Sequence, residues 1–100
     1  MKKDKWGNVT IQGIVSDLRE GALIDNIVKT YHFMLTDGNG ERRECFAMHG
    51  NLMCDLVDGM RIYVKGAIYS KEQDRICSLH SNVSIEDGVL VVGTADKIND

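Results

Sequence analysis

Cationic and aromatic side chains alternate in the segment Arg61-Ile-Tyr63-Val-Lys65. Alternate residues of a β-strand share one face, so this segment predicts a strand face on which a ring lies between two cations. Cations attract phosphates and flat rings stack on other flat rings, which is the chemistry needed to hold an unpaired polynucleotide. The side chains of this kind that we predict as site residues are Lys29, Tyr31, His32, Arg42, Arg43, Phe46, Arg61, Tyr63 and Lys65.

The orientation of the aromatic candidates depends on strand parity. Phe33 is predicted to lie in the core, so His32 points outward, as a solvated or a stacking residue. Tyr31 lies two residues before Phe33 and therefore on the same face of the strand, and both core burial and stacking remain open for it. Cys45 and Phe46 are neighbours in a strand, so one of them points inward. Phe46 therefore either stacks on the open face or fills the core.

The charged candidates also have two interpretations. Arg42 and Arg43 follow a predicted hairpin turn, where they either contact phosphate or pair with Glu41 or Glu44. The alternating face of the fourth strand is either an ordinary exposed surface or a phosphate-binding one. Trp6 precedes the first strand and is predicted to cover an edge of the sheet rather than to stack on a base.

Cysteine and histidine positions do not indicate a metal site or a nucleophile. Cys45, Cys54, Cys77 and the three histidines show no Cys-x-x-Cys or His-x-x-x-His spacing. The sequence marks no base beside a thiol and no phosphate-binding glycine loop. It therefore predicts a protein without catalysis, cofactor or metal. The odd number of widely spaced cysteines favours a reducing, cytoplasmic compartment over a disulfide framework.

Length and composition fit one soluble globular domain. The chain has 100 residues, 43% hydrophobic and 27% charged, with a formal net charge of −3. Residues 1–81 hold 11 basic and 11 acidic side chains, so the net charge lies in residues 82–100, where one lysine stands against four acidic residues. No apolar run exceeds four residues, so neither a membrane span nor a secretion signal is predicted.

The hydrophobic pattern predicts strands, with one short helix among them. The predicted strands cover about residues 9–18, 27–36, 41–48, 60–70 and 75–85. Asn51 is predicted as the N-cap of the helix and Gly59 as the glycine just past its C-terminus. Two of the strands contain a glycine, and bending into a barrel removes the free sheet edges. The prediction is a mainly β protein, a five-stranded Greek-key barrel with a short helix between strands 3 and 4.

The domain is predicted to span residues 6–85, followed by an acidic C-terminal segment over residues 86–100. Within this segment, residues 89–92 form either a further strand or an interaction segment. Residues 93–100 are predicted as a frayed tail.

Four stretches carry a resemblance to a known group of proteins. They are Val9–Ser16, Tyr31–Gly38, Glu44–Met48 and Asp58–Gly66, and they include a Phe-x-Leu-x-Asp-Gly hairpin and a Gly-x-x-x-x-Val-x-Gly strand. Over about residues 6–85 the sequence resembles the OB-fold nucleic-acid-binding superfamily. It is most similar to OB domains of the anticodon-binding and single-stranded-DNA-binding type.

The resemblance implies a binding face on strands 2 and 3, closed by the loops between strands 1 and 2 and between strands 4 and 5. Arg19, Tyr69, Lys71 and Arg75 lie in or beside these loops. The expected partner is single-stranded DNA or RNA, bound with little sequence preference, as in DNA replication or repair. The alternative is a protein-interaction module in which residues 86–100 contact a second copy or a partner protein. A third interpretation has the acidic segment fold over the groove and compete with nucleic acid.

Overall fold

Six β-strands and one 3-10 turn make up the described fold. The computed structural model describes the backbone of residues 2–3, and residues 8–70, 72 and 85–98. In chain order the elements are β1 (Lys2–Lys3), β2 (Asn8–Glu20), β3 (Thr30–Thr36), β4 (Arg42–Met48), the 3-10 turn η1 (His49–Asn51), β5 (Arg61–Ile68) and β6 (Leu90–Lys97). The two residues of β1 pair with β2 beside Val9 and Thr10.

The sheet closes on itself because β2 pairs with two barrel neighbours. Its strand order is β2-β3-β4-β6-β5, and β5 pairs back to β2. All pairs are antiparallel except β4 with β6, which are parallel where Cys45 lies opposite Leu90 and Phe46 opposite Val91. The predicted mainly β, five-stranded closed barrel is therefore confirmed, and it is consistent with an OB-like fold.

Two glycines allow close approach of the backbone where the barrel turns. At Gly13 β2 leaves its pairing with β5 for that with β3, and a Cβ there would collide with the carbonyl oxygen of Thr36. At Gly66 a Cβ would collide with the carbonyl oxygen of Val91. Both strands therefore require glycine where they bend, as a glycine inside a strand often indicates.

A bulge near the end of β2 reverses which side chains face the core. Ser16 lies opposite Met34, but the next pair joins Arg19 with His32, so β2 holds one extra residue. Asp17 takes up that residue with a positive φ of 53°. A one-residue shift exchanges the two faces of a strand. As a result Leu18 packs against the core and Arg19 lies on the outer face.

The main core fills the inside of the barrel. Its fully buried side chains come from all five barrel strands and include Val15, Phe33, Cys45, Ile62 and Leu90. Phe33 in the core is as predicted. The connection between β4 and β5 closes one end, because Leu52, Leu56 and Met60 pack against this core from outside the strands.

A second, smaller apolar cluster lies on the outer side of β4 and β6. It consists of Phe46, Tyr69, Val89 and Val91, with Met48 and Ile85 packed against it. Tyr69 is held there by backbone hydrogen bonds, since its N–H donates to the Val89 oxygen (2.8 Å) and its oxygen accepts from Gly88 (2.9 Å). The sheet is thus covered on both sides at this point.

The helical element between β4 and β5 differs from the one expected. It is the 3-10 turn at His49–Asn51, not a helix beginning at Asn51. Leu52 instead forms a bridge with Ala95, and the Met53 N–H donates to the Ala95 oxygen (2.8 Å). These backbone groups are used by β6, so they do not build a helix.

The last barrel strand also differs from the expectation. The fifth barrel position is taken by β6, Leu90–Lys97, so the frayed tail predicted from Gly93 onward is wrong over the residues of this strand. Gly93 is an extra residue, since Gly66 pairs with Val92 and Lys65 with Thr94. Because of this extra residue, the next side chain to point inward after Val92 is Ala95, three positions later, so the two-residue alternation is broken. The predicted strand over 75–85 lies outside the described residues, except for Ile85.

Candidate functional site

The nine predicted site residues do not form one surface. His32, Arg42 and Phe46 belong to the outer side of β3 and β4, while Arg61, Tyr63 and Lys65 alternate along the outer side of β5. Because β3 and β5 flank β2 on opposite sides, these two groups lie on different faces of the barrel. The other three, Lys29, Tyr31 and Arg43, lie near strand ends.

The outer face of β3 and β4 is defined by cross-strand pairs. His32 lies opposite Phe46, Met34 opposite Glu44, and Thr36 opposite Arg42. On the β2 side, the bulge at Asp17 brings Arg19 opposite His32. The strand pairing therefore places an imidazole, two guanidinium groups and a carboxylate on one face, which we call the β3–β4 face.

Phe46 points outward but is not available for stacking. Cys45 and Ala47 point into the barrel, so of the two orientations left open by the sequence, the structure has Phe46 outside. There, however, Tyr69, Val89 and Val91 cover it, and only 1% of its surface is exposed. A base cannot stack on a ring without exposed area, so the interpretation of Phe46 as a stacking residue is wrong for this structure.

The imidazole of His32 is fixed from two sides. Its ring meets the Phe46 ring edge-on, with 5.2 Å between centroids. On the other side lies Gly21, where a Cβ would stand 3.0 Å from the imidazole Cδ2 and 2.6 Å from the Thr30 hydroxyl oxygen. Glycine at position 21 therefore leaves the room that the ring occupies, and the ring is half-buried with a defined orientation.

A cavity of about 260 Å³ opens beside this ring. Its lining residues are Arg19, His32, Glu44, Ile85, Glu86 and Val89. The Nδ1 atom of His32 is buried and has no hydrogen-bond partner among the described residues. Burial lowers the pKa of His32 below its usual value, and the nearby Arg19 lowers it further, against the opposing effect of Glu44 and Glu86. The imidazole is therefore neutral at pH 7.

Both arginines of this face form ion pairs with carboxylates. The Nη2 atom of Arg19 lies 3.0 Å from the Glu44 carboxylate, and that of Arg42 lies 3.0 Å from Asp17. A shallow depression lined by Asp17, Met34 and Arg42 adjoins the cavity, because both are also lined by Arg19 and Glu44. The β3–β4 face thus carries balanced charge rather than the purely basic groove expected for strong phosphate binding.

Arg43 links two parts of the barrel and does not belong to the β3–β4 face. It is half-buried, and its Nη1 donates a 3.1 Å hydrogen bond to the carbonyl oxygen of Gly88 in the turn before β6. It therefore ties β4 to that turn, and the pairing with Glu41 or Glu44 that the sequence left open is not made.

Tyr31 and Lys29 lie near the turn η1. The Tyr31 hydroxyl is 3.3 Å from Nδ1 of His49, and the two rings are 6.1 Å apart. Lys29 is exposed, and its carbonyl oxygen accepts a 2.8 Å hydrogen bond from the His49 N–H. Tyr31 is half-buried, between the two alternatives that the sequence allowed, and neither side chain contributes to the β3–β4 cavity.

The outer side of β5 forms a second candidate surface. The Nζ atom of Lys65 lies 5.7 Å from the centre of the Tyr63 ring, within the range of a cation–π contact. Tyr63 is half-buried between Gln12 of β2 and Asp96 of β6. The alternation predicted from the sequence is therefore present on this face, but it has one aromatic ring and an acidic neighbour.

Three residues that line the cavity escaped the sequence analysis as site residues. Ile85 was assigned to the end of a strand, and Glu86 and Val89 to the acidic segment that follows the predicted domain. Ile85 and Val89 pack in the cluster around Phe46 of β4, a long-range contact that no local sequence pattern predicts. Trp6, Lys71 and Arg75 lie outside the described residues.

In the described part of the chain, the potential metal-ligating side chains are dispersed and the two thiols are protonated. There, no group of three or more histidine, cysteine or acidic side chains is placed to hold a metal ion. Burial raises the pKa of Cys45 to about 12, and the pKa of Cys54 is also raised, mainly by burial. Both thiols therefore stay protonated at neutral pH.

No helix among the described residues is long and apolar enough to cross a bilayer. In comparisons with known proteins, no protein-family model matches this chain, and no curated protein sequence does so.

Proposed function

We propose that this chain binds single-stranded nucleic acid, DNA or RNA, along the β3–β4 face and does not act as an enzyme. The observation that carries the proposal is the cleft on this face, where His32, Arg19 and Arg42 line a cavity and the adjoining depression. A barrel of this strand order binds oligonucleotides on the equivalent face in OB-fold proteins. The fold alone does not establish a function, so the proposal depends on these side chains.

Different side chains of the cleft contact different parts of the nucleic acid. The apolar and aromatic atoms around His32 and Met34 contact bases, and Arg42 contacts a phosphate. Arg19, which lines both the cavity and the depression, contacts a base edge or, where no base engages it, a phosphate. Each arginine already has a carboxylate partner at 3.0 Å, so a phosphate has to compete with Glu44 or Asp17. We therefore expect binding of modest affinity with a shallow salt dependence, since few counterions are released.

Fluorescence anisotropy with a labelled oligothymidylate at low salt tests the proposal. We expect Arg42→Ala to weaken binding several-fold. The matched control Arg61→Ala removes the same charge from the β5 face and is expected to leave binding unchanged. Equal loss in both variants, or loss only in the control, would move the site away from the β3–β4 face. Absence of binding by the wild-type protein would overturn the proposed function.

A protein-interaction module is the second candidate, and its supporting surface differs from the one expected. Residues 89–92 are buried in the barrel and its outer cluster, so they are not free to add a strand to a partner. The loop between β2 and β3 instead exposes three aliphatic side chains, Leu23, Ile27 and Val28, with Ile27 81% exposed. Hydrogen bonds between Ile24 and Val28 order this loop.

The mass of the protein in solution tests self-association through this loop. If this loop serves self-association, light scattering of the wild-type protein gives a multiple of the monomer mass, and Ile27→Asp gives the monomer. A monomeric wild-type protein would exclude self-association through this loop.

A further inference from the structure

We propose that the cavity on the β3–β4 face is a base pocket that prefers guanine over the other three bases. This inference rests on the proposed function and adds to it the identity of the base. It starts from the lining of the cavity, which combines two carboxylates, one guanidinium, one neutral imidazole and two aliphatic side chains. Such a mixture fits a flat ring with a polar edge better than it fits a phosphate.

The size of the cavity limits what can enter it. Pockets for drug-sized ligands hold roughly 300–1,000 Å³, and this one, at about 260 Å³, holds a single ring system. Ile85 and Val89 provide apolar contacts for the plane of a ring. The Phe46 ring behind His32 and the backbone of Gly21 keep the imidazole from turning away. The pocket is thus formed before any ligand arrives.

The polar groups of the pocket select among the bases. Carboxylate oxygens such as those of Glu44 and Glu86 accept hydrogen bonds, so they favour a base edge that carries donors. Guanine has two neighbouring donors, N1–H and the N2 amino group, and next to them the acceptor O6. Thymine has a single imino donor between two carbonyl oxygens, which the carboxylates would repel.

The ion pair of Arg19 and Glu44 places a hydrogen-bond donor next to an acceptor. This arrangement is complementary to the edge of guanine that carries O6, N1–H and the N2 amino group. Its guanidinium and carboxylate lie 3.0 Å apart, so donors and acceptors stand side by side at the cavity wall. The carboxylate can accept from N1–H and the N2 amino group while Arg19 donates to O6.

The test compares labelled thymidylate oligonucleotides of about 12 nucleotides, within the site size of an OB fold, that carry dG, dA, dC or dT at one central position. Anisotropy titrations at low salt give a dissociation constant for each. We expect the dG probe to bind about tenfold more tightly than the dT probe, as one good bidentate contact allows. Glu86→Gln and Glu44→Gln are expected to reduce this ratio. The control Glu20→Gln, an exposed carboxylate outside the cavity, should preserve it.

The outcomes separate the inference from the proposed function. If all four probes bind equally well, or dA, dC or dT binds best, the base pocket is overturned while nucleic-acid binding stands. If no probe binds, both are overturned. A readout that needs no variant is the titration of wild-type protein with guanosine monophosphate. We expect it to shift the NMR signals of the His32 ring, and thymidine monophosphate to leave them in place; equal shifts with both nucleotides would count against the pocket.

Discussion

The guanidinium of Arg19 and the carboxylate of Glu44 meet at 3.0 Å across β3, the strand that separates their own strands β2 and β4. Arg19 reaches this position only because the bulge at Asp17 turns it to the outer face. The same carboxylate lies 4.0 Å from Nδ1 of His32, too far for a hydrogen bond. Glu44 therefore controls how much positive charge the β3–β4 face presents to a ligand.

Replacing Glu44 with Gln is expected to tighten binding of oligothymidylate. The change releases Arg19 for a phosphate, so the slope of log affinity against log salt concentration should become more negative by about 0.7, the value for one phosphate on a single strand. Titrations at several salt concentrations measure this slope. Glu41→Gln, in the exposed hairpin connection, is the charge-matched control. An unchanged slope in the Glu44 variant would mean that Arg19 does not face the bound strand.

Phe46 is expected to act on stability and not on stacking. Truncation of a buried aromatic side chain costs about 3–5 kcal/mol, so Phe46→Ala should lower the free energy of unfolding by about that amount. Chemical denaturation measures this loss. Phe46→Leu keeps an apolar side chain both under Tyr69 and Val91 and behind the His32 ring, so it should retain the oligonucleotide affinity of the wild type. A folded Phe46→Leu protein with strongly reduced affinity would restore the ring as a binding residue.

The glycines at the bends should not tolerate a methyl group. Gly13→Ala and Gly66→Ala each place a Cβ against a backbone carbonyl of the neighbouring strand, which cannot move without breaking the sheet. We expect each to lower the free energy of unfolding by about 1–3 kcal/mol, as overpacking does. Gly38→Ala is the matched control, because a Cβ there meets no atom within 4 Å. Denaturation midpoints equal to that of the control would contradict the close approach.

The lowered pKa of His32 makes stability depend on pH. Its pKa is below 6.5 in the folded protein, mainly because of burial, so the unfolded chain binds the proton more readily. The contribution of His32 to stability is therefore complete above pH 6.5 and is lost as the pH falls through the folded-state pKa. Urea titrations between pH 8 and pH 5 should show a smaller loss of stability in His32→Gln than in the wild type. Parallel pH profiles would contradict this assignment.

The inside of the barrel was predictable from the sequence wherever strict alternation holds. The alternation in β3 placed Phe33 in the core, and the alternation of Arg61, Tyr63 and Lys65 identified the outer side of β5. These predictions succeed because alternation is a local property of a strand.

The predictions failed where a single extra residue or a distant segment decides the outcome. The extra residue Gly93 breaks the two-residue alternation of β6, so residues 93–100 were predicted as a frayed tail instead of as part of a strand. Leu52, Met53, Leu56 and Val57 have helical spacing, yet Met53 and Val57 are 67% and 60% exposed, because β6 pairs with this segment. The burial of Phe46 depends on Tyr69 and Val89, which are far from it along the chain. Long-range pairing therefore outweighed the local pattern.

The position of β6 between β4 and β5 also bears on how the protein forms during translation. Both of these strands precede β6 in the sequence, and among the described residues each has one side that pairs with β6 alone. Until residues 90–97 have left the ribosome, the nascent chain carries two open sheet edges and an unsealed core. Such edges pair readily with other chains, so the yield of soluble protein should depend on the speed at which this one strand is delivered.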